Sequence, residues 1–181
     1  IMEVKTYKIE GLKSFQPRLF EDGRGYFFES FNKKFFNAEI DVHEFVQDNQ
    51  SMSKKGILRG LHFQNPPFAQ GKLVRVIKGA ALDVIVDIRK DSPTYGEHLS
   101  VELTEENFKM LWVPPGFAHG FLTLREDTIF FYKCTDFYVP ESEAGLMWND
   151  PDIGIDWGTT NPLLSERDTK HPSFADFKSP F

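Results

Sequence analysis

Residues 71–88 read GKLVRVIKGAALDVIVDI: two short runs rich in valine, isoleucine and leucine, split by Lys78-Gly79. Each run is strand-length, and the Lys-Gly break supplies turn chemistry, so the pair reads as two β-strands joined tightly. Alternate side chains of a strand share a face. Lys72 therefore stands on the same side as Val74 and Val76, and an amine among valines suits the inside of a barrel mouth.

The same pattern extends outward from Phe45 to Val139. VQDNQSMS and ILRGLHFQ precede the pair; HLSVEL, MLWV, HGFLTL and TIFFYKCT follow it. Turn signals separate them at Asn65-Pro66-Pro67, Asp91-Ser92-Pro93 and Pro114-Pro115-Gly116. Many short strands with tight turns predict an all-β sandwich, jelly roll or small barrel. In the last run Tyr132 shares its face with Phe130 and Cys134. Arg59 and His62 have opposite parity, so if both serve one site the strand must be irregular near Gly60, where glycine permits a bulge. At the N-terminal end, Glu3 to Ile9 is a further strand candidate. A turn-rich stretch follows, with Asp22-Gly23 and Arg24-Gly25, and then a short helix from Lys33 to Glu39 capped by Asn32. The last forty residues look irregular, with one helical turn near Ser165, and their Trp and Leu residues should pack on the barrel.

Composition narrows the function classes. At 181 residues the chain fits one domain, 1–181, with an ordinary 40% hydrophobic and 27% charged content. Nineteen phenylalanines are unusual and lean toward β structure and an aromatic ligand. A net charge of −6 disfavours nucleic acid or an anionic membrane as partner. Cys134 is alone, which leaves no disulfide framework and no Cys-x-x-Cys metal knot. With no signal-peptide core and no membrane-length apolar run in the sequence, a cytoplasmic location is the default expectation.

Two motifs stand beside the strands. Pro114-Pro115-Gly116-Phe117-Ala118-His119 has the form P-x-G-x-x-H, and upstream lie Gly60-Leu61-His62-Phe63-Gln64 and Gly79. Together they resemble the two sequence motifs of the cupin barrel. The fold class implied is a cupin-type jelly-roll β-barrel with a few short helices and an N-terminal strand or arm. Metal-binding cupins carry His-x-His in the first motif; here Gln64 follows His62-Phe63, so no metal is expected.

Within cupins, eight segments in order resemble the dTDP-4-dehydrorhamnose 3,5-epimerase family: DGRGYFFESF, QDNQS, GILRGLHFQ, QGKLVRVIKGAALDVIVDIR, SPTYG, WVPPGFAHGF, YKCTDFYVPESE and WNDPDIGIDW. The resemblance runs from about Phe20 to Asp168. It implies a single cupin-like epimerase domain that inverts C3 and C5 of dTDP-4-dehydro-6-deoxy-D-glucose to give dTDP-4-dehydro-L-rhamnose, with no cofactor. Both carbons lie alpha to the C4 ketone, so loss of a proton gives an enolate. Inversion then needs a base on one face, an acid on the other and a cation near the oxyanion. By resemblance His62 is the base, Asp168 the carboxylate that orients it, Tyr132 the acid and Lys72 the cation. A neutral imidazole can accept a proton near pH 7 and a phenol is still protonated there.

Arg24, Glu29, Gln47, Asp48, Asn49, Arg59, His119, Glu143 and Arg167 fall on the family's substrate contacts. Arg59 suits a diphosphate because its guanidinium forks onto paired oxygens. Tyr138 is the candidate for stacking on thymine, with Phe20 and Phe27 as further aromatic candidates. Where the family commonly has Lys before the dyad Asp, this chain has Arg167. His43, His98 and His171 match nothing and read as surface residues. The family forms homodimers in which an N-terminal strand reaches the partner's sheet, so Arg24 and Glu29 imply a site completed across the interface. Two alternatives stay open in the sequence: an epimerase acting at C5 only or C3 only, and a non-catalytic cupin that binds a sugar nucleotide.

Overall fold

The hairpin at Lys78-Gly79 is present, but its two strands belong to different sheets. Strand β7 (Lys72–Lys78) lies in a six-stranded sheet and β8 (Ala80–Asp87) in a five-stranded one. The computed structural model describes residues 2–181. The first sheet orders β1 (Val4–Thr6), β2 (Lys13–Phe15), β10 (Met110–Val113), β7, β12 (Thr128–Cys134) and β5 (Gln47–Ser53). The second orders β13 (Glu143–Gly145), β6 (Leu58–Gln64), β11 (Phe117–Thr123), β8 and β9 (His98–Thr104). Every strand pair within them is antiparallel. This is the expected jelly roll, two sheets closed face to face.

Three apolar layers hold it. Between the sheets lie Val74 and Val76 of β7, Ile85 of β8, Leu111 of β10, Phe121 of β11 and Phe130 of β12. The Phe121 and Phe130 rings stack across this layer with centroids 4.0 Å apart. Outside the five-stranded sheet, Val84, Val86, Ala118 and Leu122 are covered by Trp148, Ile153 and Trp157, with Phe174, Phe177 and Phe181 packed against them. Outside the six-stranded sheet, Leu73, Met110 and Trp112 meet Phe36 and Ile40 of the helical segment. The central strands are thus buried on both faces, which is why β8 reads as a continuous apolar run and not as an alternation.

The single α-helix among the described residues, α1, spans Lys33–Glu39, and the Asn32 side chain accepts a hydrogen bond from the Phe35 N–H as its N-cap. The turn-rich stretch before it holds a small hairpin, β3 (Phe20–Asp22) and β4 (Gly25–Phe27), looped through Gly23-Arg24. The first strand is shorter than the Glu3–Ile9 expected, because the chain turns at Ile9–Gly11 into β2. The tail forms a 3-10 turn at Arg167–Thr169. No helix of the described residues is long and apolar enough to cross a membrane.

The irregularity expected in β6 falls at Gly60. The β6–β11 register pairs His119 with His62 and then Phe121 with Arg59, so two residues of β6 lie between those pairs against one of β11. Gly60 has φ +140°, and a Cβ there would stand 2.7 Å from Gly120 Cα and 3.1 Å from the His119 carbonyl oxygen. Both the backbone angle and the close approach demand glycine. Gly60→Ala is therefore expected to lower stability by roughly 2–4 kcal/mol, read as a shift in the urea midpoint; a variant of unchanged midpoint would contradict the constraint.

Candidate active site

A cavity of about 560 Å³ opens between the two sheets. The bulge at Gly60 turns both Arg59 and His62 of β6 toward it, resolving their opposite parity. Lys72 of β7 and Tyr132 of β12 reach it from the other sheet, and His119 of β11 lines it as well. Glu143 of β13 and the tail residues Arg167 and Asp168 complete the wall.

His62 Nε2 lies 2.6 Å from Asp168 Oδ1, across 106 positions of sequence. A carboxylate accepts only, so Nε2 carries the hydrogen, and Nδ1 has no hydrogen-bond partner among the described residues. The 3-10 turn holds Asp168 in place, since its N–H donates to the Ser165 carbonyl. Its Oδ2 accepts from the Gly60 N–H at 3.2 Å. Burial on its own would raise this carboxyl; hydrogen bonds and charge from His62, with further bonds from His171 and Gly60, outweigh that and hold its pKa at about 2.

On the opposite wall, burial pushes the Tyr132 phenol above its usual range, against the pull of Asn49 and Arg59. It stays protonated throughout the neutral range. Lys72 lies with Nζ 5.4 Å from the Tyr132 ring centroid. Burial lowers its amine, while the negative charges it faces, Asp83 and Glu143 among them, oppose that shift. Asn49 sits opposite Tyr132 in the β5–β12 register and lines the cavity.

The rim carries a linked trio. The Tyr138 hydroxyl donates to Glu143 Oε2 at 2.5 Å, and Arg167 Nη2 lies 2.9 Å from the same oxygen. Gln47 ties this corner to β5: its Nε2 donates to Asn49 Oδ1 and its Oε1 accepts from the Tyr138 N–H. Asp48 points the other way and accepts from Lys133 Nζ, so it stands outside the cavity.

Four further expected contacts lie on another part of the chain, away from this cavity. Phe20, Arg24 and Phe27 lie on the β3–β4 hairpin, where Arg24 pairs with Asp22 and Phe27 is 67% exposed. Glu29 accepts from Asn32 beside the start of α1 and lines a separate cavity of about 440 Å³ with Phe20. The hairpin's own two-residue loop carries these residues away from the sheets that frame the cavity.

One residue went unread in the sequence and one was misread. Asp83 of β8 is fully buried, and its Oδ1 lies 2.6 Å from His119 Nε2, a second histidine–carboxylate pair. Its signal was present: an acid at inward parity with Ala81 and Ile85. His171 corrects an expectation, for it is not a surface residue. Its side chain is 9% exposed, and its Nε2 lies 2.9 Å from Asp168 Oδ1, three positions along the chain. His62, Asp168 and His171 also form the one cluster of metal-ligand type found among the described residues. Both imidazole Nε2 atoms stand at hydrogen-bond distance from one carboxylate oxygen, which partners them with Asp168.

Comparison with known proteins follows the same lines. A family profile described as dTDP-4-dehydrorhamnose 3,5-epimerase matches residues 6–176. A Shigella flexneri protein named dTDP-4-dehydrorhamnose 3,5-epimerase is 49% identical over 176 residues, 97% of either chain. The Bacillus anthracis enzyme of the same name, solved with TDP and PPi bound, superposes with a TM-score of 0.93 at 46% identity, covering 96% of this chain and 99% of that one. The Legionella pneumophila dTDP-6-deoxy-D-glucose-3,5-epimerase, in complex with dTDP-4-keto-L-rhamnose, superposes with a TM-score of 0.93 at 43% identity, covering 98% and 95%.

The depressed carboxyl has a consequence for stability. A group whose folded pKa lies below its unfolded one stabilises the fold above the unfolded value and loses that contribution as pH falls toward the folded value. For Asp168 the window runs from about 4 down to about 2, and the full contribution is about 2 kcal/mol. Asp168→Asn lacks this linkage. The stability gap between wild type and variant should narrow by about 1 kcal/mol between pH 6 and pH 3, measured by denaturant titration at both; a constant gap would contradict the assignment.

Proposed function

The chain belongs to the dTDP-4-dehydrorhamnose 3,5-epimerase family, and from that premise we propose how its cavity inverts C3 and C5 of dTDP-4-dehydro-6-deoxy-D-glucose to give dTDP-4-dehydro-L-rhamnose. As a family member it is an isomerase, which sets aside the non-catalytic binder. The relatives near half identity carry the double-epimerase name, which favours inversion at both carbons over one.

One observation carries the mechanism. The candidate base projects from the five-stranded sheet, and the candidate acid from the six-stranded sheet, into one cavity. A sugar ring held between them presents one face to His62 and the other to Tyr132. His62 Nδ1 takes the proton from C3 or C5, and the electron pair moves into the C4 carbonyl to form an enolate. Asp168, ionised at any working pH, offsets the charge that His62 gains. Lys72 stands near the Tyr132 ring and stabilises the oxyanion, an interaction made stronger by the low-dielectric surroundings. Tyr132 then delivers a proton to the opposite face of the carbon. Lys72 as the neighbouring cation eases the ionisation this requires.

At the rim, Arg59 suits the diphosphate and Tyr138 the thymine, with Glu143, Arg167, Asn49 and Gln47 fixing the rim around them, while His119, buried beside Asp83, meets the substrate deeper in the cavity. Tyr138 is already tethered through its hydroxyl, so its ring can stack without first losing rotamer freedom. Arg24, Glu29, Phe20 and Phe27 contribute from a second copy of the chain. Phe20, Arg24 and Phe27 sit on an exposed aromatic hairpin, and Glu29 just after it, all outside the cavity of their own chain, which supports that homodimer. The chemistry is proton transfer alone, and no metal or organic cofactor takes part. Turnover should accordingly survive exhaustive treatment with EDTA; loss restored by a divalent ion would overturn this part of the mechanism.

Tyr132→Phe tests the two-sided arrangement directly. It removes one oxygen and little volume. In heavy water the variant should still exchange the C3 and C5 hydrogens through His62, since removal and same-face return need no tyrosine. Inverted product should form more slowly by roughly 10² to 10⁴, the usual contribution of a general acid. Inversion at the wild-type rate would show that another group is the acid.

A further inference from the structure

Asp168 has two histidines on one oxygen, and the mechanism above uses only one of them. His62 Nε2 and His171 Nε2 stand 2.6 and 2.9 Å from the same Oδ1, with ring centroids 5.7 Å apart and the planes at 75°. Oδ2 is held from a third direction by the Gly60 N–H. Three donors from β6, the bulge and the tail thus fix one carboxylate in orientation.

The placement of His171 is built, not incidental. It follows the 3-10 turn Arg167–Thr169, so it returns to Asp168 at i+3. Its ring packs against β13, where a Cβ at Gly145 would stand 2.6 Å from His171 Cε1 and 2.7 Å from Nδ1. Only a residue without a side chain leaves that slot open. The next residue is anchored too, as the Pro172 carbonyl accepts from the Met147 N–H at 3.0 Å. Lining the cavity falls to Asp168 and His62; His171 stands behind the carboxylate.

The geometry points to His171 as a positioning residue for the epimerisation: by donating Nε2–H to Asp168 Oδ1, it holds the carboxylate where His62 needs it. The inference rests on reading His62 and Asp168 as the base pair. Without His171 the carboxylate keeps its charge but loses one of three anchors and rotates among several orientations. The population of His62 held with Nδ1 toward the sugar falls accordingly. The effect belongs on kcat, because His171 touches neither the sugar nor the nucleotide in this arrangement.

The test is a double-mutant cycle on turnover and on solvent-hydrogen exchange with dTDP-4-dehydro-6-deoxy-D-glucose. His171→Ala should lower kcat and exchange together by roughly 10-fold, the worth of one hydrogen bond to a charged group, with KM unchanged. His171→Gln, whose amide N–H reaches a similar point, should restore most of the loss; a failure to restore it would show that packing of the ring is what matters. In the Asp168→Ala background, His171→Ala should cost nothing further. An undiminished 10-fold loss in that background, or a change confined to KM, would overturn the inference. Full turnover in His171→Ala beside an impaired Asp168→Ala would sink this inference alone. Full turnover in Asp168→Ala would sink the base-pair reading and this inference with it.

Discussion

Strands β6 and β11 meet at Gly60 and Gly120 with no room for a side chain on either, since a Cβ on Gly120 would stand 2.7 Å from the Arg59 carbonyl oxygen. The rest of the site depends on that contact. It shifts the register between the two strands, and the shift brings Arg59 and His62 to one side of a strand whose alternation would otherwise separate them. It also frees the Gly60 N–H from the ladder at that point, and Asp168 accepts it. One backbone irregularity thus places Arg59 and His62, the proposed diphosphate ligand and the proposed base, and helps to seat the carboxylate. A regular strand could do only one of these.

The jelly roll contributes the second element, a gap with two chemically different walls. The five-stranded wall supplies imidazoles paired to carboxylates, His62 with Asp168 and His119 with Asp83. The six-stranded wall supplies an amine and a phenol. The two carboxylates are pulled in opposite directions. Burial dominates at Asp83 and raises it, whereas hydrogen bonds dominate at Asp168 and lower it. The stacked Phe121 and Phe130 rings lie in the layer between the walls and keep the sheets at a set spacing.

Most of the scaffold was legible because strands announce themselves by runs and turns. The boundaries of α1 and the irregularity at Gly60 followed from an Asn cap and from a parity conflict between two residues. The β3–β4 hairpin was harder, since Phe20–Phe27 is too short and too exposed to show a buried face. In the site, inward parity correctly located Lys72 and Tyr132. The pairing of His62 with Asp168 had no local signal and came from family likeness alone, as contacts across 106 residues leave no trace in spacing. His171 was misjudged for a related reason. A polar residue in an irregular tail looks solvated, and only the tail's path over Gly145 buries it.

The tail path divides the site between two parts of the chain. Leu163 is bonded to Gly56 and Leu58 by its N–H and carbonyl, and Leu146 to Leu61, so the tail docks along β6, one of the earlier strands of the barrel. Both sheets are complete at Gly145, the last residue of β13. The histidine, lysine and tyrosine of the cavity all precede that point, and Asp168 follows it. The barrel supplies the shape of the pocket, and the tail supplies the carboxylate behind His62. The two partners of the His62–Asp168 pair therefore come from separate parts of the fold, one from the sheets and one from the segment laid over them.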